Sequence, residues 1–484
     1  MTMMETLYNR FDDLLNPIIV KELRQVVRGK FFWGVLLLFL AFQCAVLSLS
    51  IADRGMSSRS IGGETLAFLF GILFFASFVL IPIQNGFKFS TERNDGSDEL
   101  LFITTITPET IIKGKFYAAM VFILLLFSAF APFMAMTFFL SGVDMPLTFL
   151  TLFFALLISA AGAMGQICFA ALAHDAQSNK AFRAIGGMAQ MMAFFAISGT
   201  GAEMVQYGPG RFMGSSHAGL LIVSVILFCL AAVSFFYRAA ASIIAPAGAN
   251  RMLPVRKCGL FIWLGSLILS LLWAIQENSG KFLVSWAALI CVGLVLATMV
   301  AVSERDSLSE RVAREIPANP LKKRLAFLFY SGSAGGLAWV VLIMLITLLT
   351  MNFFPRALGL HQTGDLPDAT VAILSFLGYC IGYGLLASYI RRLFFSSLVD
   401  IRNTWIIMFL VTAFCSVVPM FIWAVTGSDY ELFLLGNPFI ALSRDRSDAA
   451  QAFGMLLAAG AVFINLPWLK RQLNEFFKAG DQNG

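Results

Sequence analysis

The chain has 484 residues, 59% of them hydrophobic and 13% charged, with 49 phenylalanines and a formal net charge of +6. A soluble core of this size has no room for so much apolar surface, whereas a bilayer solvates it without cost. The positive charge sits in short stretches between apolar runs, and no basic strip with interleaved aromatics occurs in a polar segment, so it points to membrane orientation and not to a nucleic-acid partner.

A stretch of about thirty residues, many of them polar, precedes the first apolar run, and no small-residue cleavage site follows that run closely, so the first span is expected to be an uncleaved anchor. Within that segment Asn16 is a good N-cap and Pro17 suits the first helical position. At helical spacing Leu15, Ile18, Ile19, Leu23, Val26 and Val27 share one broad face, and Lys21, Arg24, Gln25 and Arg28 share the other. This pattern predicts a helix lying flat at the interface, with Gly29 turning the chain into the membrane. Glu22 falls within the apolar arc, where an acid is costly against lipid but useful against protein.

Twelve runs of spanning length contain no Asp, Glu, Lys, Arg or His, at about 31–50, 65–84, 116–140, 147–173, 184–200, 218–237, 259–276, 282–302, 334–354, 369–390, 404–426 and 450–469. Continuous apolar runs select helices over barrel strands. The expected fold class is therefore all-α: a polytopic integral membrane protein with about 12 transmembrane helices. Of the 34 Lys and Arg residues, 27 fall in 1–30, 85–115, 173–183, 238–257, 303–324, 391–402 and 470–484. That asymmetry predicts that these segments, and both termini, lie in the cytoplasm.

The stretch after the second run starts polar and acidic, from Glu92 to Glu99, and passes into an apolar patch, Leu100 to Ile103. Thr107 can then cap a new helix, with Pro108 first and Glu109 on its dipole, and Lys113 and Lys115 anchor it at the bilayer surface. The patch would be exposed for no return unless it fills a groove on a partner.

Other chemistry is sparsely represented. Cys44, Cys168, Cys229, Cys258, Cys291, Cys380 and Cys415 form no CxxC pair, and His174, His217 and His361 stand apart, so no metal or disulfide frame is expected. No G-x-x-x-x-G-K-[ST], G-x-S-x-G or H-E-x-x-H occurs, and no segment between runs is long enough for a catalytic domain. The runs contain no ionisable residue at mid-membrane, the usual hardware of proton coupling. Asp429, Glu431, Asp445 and Asp448 read as a solvated outer surface. Asn319 to Arg324 echoes the leading Asn-Pro segment and again precedes a span; a degenerate second elbow is one reading, but with four spans after it and not six, a solvated basic flank is the preferred one, following a helix start at Ser303 to Asp306.

Together, the two segments resemble the permease subunits of type-2 ABC exporters. Asn16, Pro17, Lys21, Glu22, Leu23 and Arg24 fit the family's elbow helix. Glu92, Arg93, Gly96, Ser97, Leu101, Thr107, Pro108, Gly114 and Lys115 fit its coupling loop in order, although Ile106 stands where members often have a second proline. The resemblance covers residues 1–250, a six-helix first part, and leaves 251–484 as an additional six-helix part without a recognisable coupling loop. It implies an ATP-driven transporter, an exporter, in the cell inner (plasma) membrane, docked on a separate ABC ATPase subunit in two copies. ATP and Mg would bind that partner, so this chain is expected to hold no cofactor and to do no catalysis itself. A second permease chain, identical or related, and membrane lipids are the other implied partners. The alternatives are a twelve-span secondary transporter, a membrane enzyme acting on lipids, and a non-transporting assembly protein that keeps the permease fold.

Overall fold

An apolar stretch in lipid must satisfy every main-chain amide and carbonyl from within itself, so the runs become helices. The computed structural model describes residues 17–52, 61–94, 107–138, 145–172, 176–207, 218–246, 248–361, 366–396, 399–426, 435–442 and 447–481. Among the described residues all regular elements are helical, beside one isolated bridge between Ser279 and His361. Among the described residues twelve helices are long and apolar enough to cross a membrane. The chain forms two compact units, Met1–Ala245 and Pro246–Gly484.

The first unit begins with the short α1 (Pro17–Arg28). Gly29 bends the chain into α2 (Lys30–Ala52), and Trp33 Nε1 donates to Val27 O at 3.1 Å across the bend. α3 (Ile61–Phe75) runs through a π turn (Ala76–Leu80) into α4 (Ile81–Asn94). α5 (Pro108–Phe138), α6 (Met145–Leu172), α7 (Ala176–Tyr207) and α8 (Ala218–Ile244) complete the unit. Phe39, Leu69, Leu73, Ile123 and Leu126 fill one core, and Phe89, Ile111, Ile112 and Met164 another.

The second unit comprises α9 (Met252–Gln276), α10 (Lys281–Val302), the short α11 (Glu310–Arg314) and α12 (Pro320–Phe329), then α13 (Ser333–Ala357), α14 (Leu366–Phe394), α15 (Thr404–Thr426) and α16 (Ser447–Asp481). α14 and α16 approach closely because both present glycine: a Cβ on Gly378 would meet Gly454 O at 2.8 Å.

Helices run beyond the apolar limits read from sequence. α4 extends to Asn94, α7 starts at Ala176 and α16 reaches Asp481. Lys, Glu, Arg and Gln are good helix formers, so an apolar run ends before its helix does. Two readings of the second unit are corrected. Asn319–Arg324 is not a solvated flank: the Asn319 side chain accepts from Leu321 N at 3.0 Å and caps α12. Lys322 and Arg324 are exposed, but Lys323 is buried, its ammonium 5.4 Å above the Phe477 ring. Ser303 to Asp306 does not start a helix. Ser303 closes α10, and Glu304 turns inward to pair with Arg256 while its Oε2 accepts from Gly332 N at 2.7 Å. Burial pushes the Glu304 carboxyl up, and Arg256 and the Gly332 amide pull against it.

The π turn has a cause in the sequence. Pro82 has no N–H to offer the Phe78 carbonyl four residues earlier, and its ring crowds that oxygen in a regular helix. The turn widens at this point, and Gln190 Nε2 on α7 donates to Phe78 O at 2.5 Å. Gln166 on α6 supports it, donating to Gly186 O at 2.6 Å and to Gln190 Oε1 at 3.4 Å. Gln190→Leu is expected to remove this donor from Phe78 O and to destabilise the unit by about 1–2 kcal/mol. Pro82→Ala in that background, by restoring an amide, should recover part of the loss in a detergent melt; equal melting of the single and double variants would contradict this account.

Candidate functional site

The amphipathic pattern of α1 sets its orientation. Lys21, Arg24, Gln25 and Arg28 are exposed, Ile19 and Leu23 are half-buried, and Val27 is exposed despite its place on the apolar arc. Glu22 is the buried exception, 6% exposed, because α1 packs along α5 and brings the carboxylate to Lys115. Lys115 Nζ lies 2.8 Å from Glu22 Oε1 and 2.5 Å from Glu92 Oε2. The same ammonium sits 4.9 Å over the Phe89 ring. One lysine thus joins three segments: the helix before the first long span, the end of α4, and the second turn of α5. Two carboxylates around one ammonium carry a net charge of about −1 if all three are ionised.

This geometry corrects two expectations. Glu92 and Arg93 lie in the last turn of α4, not in a loop, because the helix continues past the apolar run. Lys115 is not a surface anchor: it is 9% exposed, whereas Lys113 is exposed beside Tyr237, 5.7 Å from the ring centre.

The start of α5 follows the sequence reading. Thr107 Oγ1 accepts from Thr110 N at 3.4 Å and Thr107 O from Ile111 N at 3.2 Å, with Pro108 as first helical residue. Glu109 pairs with Arg238 Nη1 of α8 at 2.8 Å, and Gly114 is buried one position before Lys115. Asn16, Gly96, Ser97 and Leu101 lie outside the described residues, as do Asp429, Glu431 and Asp445; Pro17 is the first residue of α1.

Sequence reasoning missed the rest of the collar around α4. Arg93 Nη1 donates to Ala171 O at the end of α6. Arg183 of α7 donates from Nε to Ser90 Oγ at 2.7 Å and from Nη2 to Thr91 Oγ1 at 2.8 Å. Lys88 Nζ reaches Gln25 Oε1 of α1 at 3.4 Å. The end of α4 is therefore tied to α1, α5, α6 and α7. The only hint in the sequence was Arg183 standing just before an apolar run, which nothing local distinguishes from an orienting charge.

Charge-assisted contacts thus tie five helices, α1, α4, α5, α6 and α7, together beside residues 94 and 107. Among the described residues no group of His, Cys, Asp and Glu has the geometry of a metal site, and none of the seven cysteines is in a disulfide.

No family model, no curated protein and no solved structure matches the chain.

Lys115→Met removes the ammonium from between two carboxylates, and breaking a buried pair in this way costs roughly 3–5 kcal/mol. The triple variant Glu22→Gln, Glu92→Gln, Lys115→Met leaves no charge behind and is expected to melt within about 1–2 kcal/mol of the parent. Thermal melts in detergent check the order; a triple variant less stable than Lys115→Met would contradict the pairing.

Proposed function

We propose that the chain is the permease subunit of an ATP-driven transporter of the type-2 ABC exporter kind. In this reading it lies in the inner (plasma) membrane with both termini in the cytoplasm. The observation that carries the reading is the Lys115 joint, because it links the elbow-like helix to both ends of the segment proposed as the coupling loop. A coupling element needs such a joint, since a push on a segment with free ends would be lost in local bending.

The proposed cycle uses a separate ATPase subunit in two copies, which binds ATP and Mg. Closure of the ATPase presses on residues 95–106, and the strain passes through Glu92 and Lys115 into α1, α4 and α5. Movement of these helices opens a path for substrate at the interface with a second permease chain, identical or related. This chain supplies the pathway and the lever, and the partner supplies the chemistry. The basic side of α1, with Lys21, Arg24 and Arg28 exposed, faces headgroups or the ATPase rim.

Co-purification tests the reading directly. The tagged chain is expected to bring down a protein with nucleotide-stimulated ATPase activity. Leu101→Asp, which places a charge in the apolar patch, should reduce the retained ATPase by about tenfold without changing the melting temperature. Recovery of the intact chain with no ATPase bound would remove the proposal.

A further inference from the structure

Buried polar atoms without a hydrogen-bond partner are scattered through the described residues except at one place. Ser388 Oγ, Arg391 Nε and Arg392 Nη1 at the end of α14 and Trp468 Nε1 of α16 are all unmet, and α14 packs on α16. Arg392 joins the two helices. The Arg392 guanidinium stacks 4.3 Å from the Trp468 ring centre, and its Nε donates to Ser388 O at 3.1 Å. Its Nη2 donates to Asn465 Oδ1 of α16. Arg391 is more than nine-tenths buried, and the nearest carboxylate oxygen, Asp306 Oδ2, stands 3.8 Å from its Nη2.

The chemistry of the unmet atoms is one-sided. Three are N–H groups that can only donate, and the fourth is a hydroxyl that donates equally well. Buried donors left unmet are costly, and most costly on a charged group. The complement of two guanidinium donors, an indole N–H and a hydroxyl is a group that only accepts, carries negative charge and offers several oxygens. Phosphate has those properties, and the planar guanidinium fork suits it.

The surroundings specify the source of that phosphate. Leu393, Phe394 and Phe395 follow Arg392 and are exposed, and Ile464, one turn before Trp468, is exposed as well. Lys470 is exposed two residues beyond Trp468. A cationic donor set bordered by exposed apolar side chains at a helix end is the setting of a headgroup with its acyl chains alongside. We propose that the end of α14 and the adjoining part of α16 form a binding site for the phosphate of an anionic phospholipid, with Arg391 and Arg392 as its principal donors. This site lies wholly within the second unit and does not depend on the transport reading.

The test uses the full-length protein in detergent, with native mass spectrometry and thermal melts against phosphatidylglycerol, phosphatidylcholine and inorganic phosphate. The parent is expected to bind phosphatidylglycerol about tenfold tighter than phosphatidylcholine, with a matching rise in melting temperature. Arg392→Gln should abolish that preference. Trp468→Phe, which keeps an aromatic ring and removes the N–H, should weaken it in a protein that still folds. Arg471→Gln, an exposed arginine paired with Glu475 at 2.7 Å, should leave it intact. Equal binding of the two lipids, or equal loss in Arg471→Gln and Arg392→Gln, overturns the site. Full competition by millimolar inorganic phosphate overturns the lipid as its occupant.

Discussion

A lysine ammonium enclosed by protein must find carboxylates, and in this chain Lys115 finds two that are far apart in sequence. Glu22 is buried and would be costly where it stands without that cation, Glu92 is half-buried beside it, and the cation would be costly without them. Their mutual need fixes α1 against α5 and holds the end of α4 beside both. The rest of the collar, from Arg93 on the end of α6 to Arg183 on Ser90 and Thr91, is then in register with this point. Charge placed at the end of a bundle acts in this way because distances are short and water is largely excluded, so each pair is strong and directional.

Deeper in the first unit the same rule operates without charge. Pro82 takes one amide out of α4, the helix widens, and Gln190 supplies the missing donor from a neighbouring helix. The second unit solves its problem with Arg256, which donates to Leu328 O at 3.0 Å and to Tyr330 O and pairs with Glu304, so that the end of α12 is fastened to α9 and α10. Among the buried groups left unmet, those at Ser388, Arg391, Arg392 and Trp468 all lack an acceptor. A deficit with one chemical sign specifies its complement, which a scatter of unmet groups does not.

Local information in the sequence was enough for several features. Apolar runs marked the twelve long helices, since length and hydropathy are additive along the chain. The Thr107-Pro108 start and the break at Gly29 were also visible, because caps and helix breaks depend on a few neighbouring residues. The helix ends were misplaced wherever polar residues continued the helix, as at Glu92, Arg93 and the start of α7. Glu22 stood out on the apolar arc of α1, but nothing local named its partner.

The chain's order of residues determined by itself that this is a helical, multi-pass membrane architecture, with a short amphipathic helix ahead of the first long span. Tertiary structure alone decided which polar groups meet: Lys115 with Glu22 and Glu92, Glu304 with Arg256, and Gln190 with the Phe78 carbonyl, to which Pro82 offers no amide. The physical reason is one of range. Partition into an apolar phase is a sum over neighbouring residues, whereas satisfying a buried polar group requires one atom in one direction, supplied by whichever helix packing brings there.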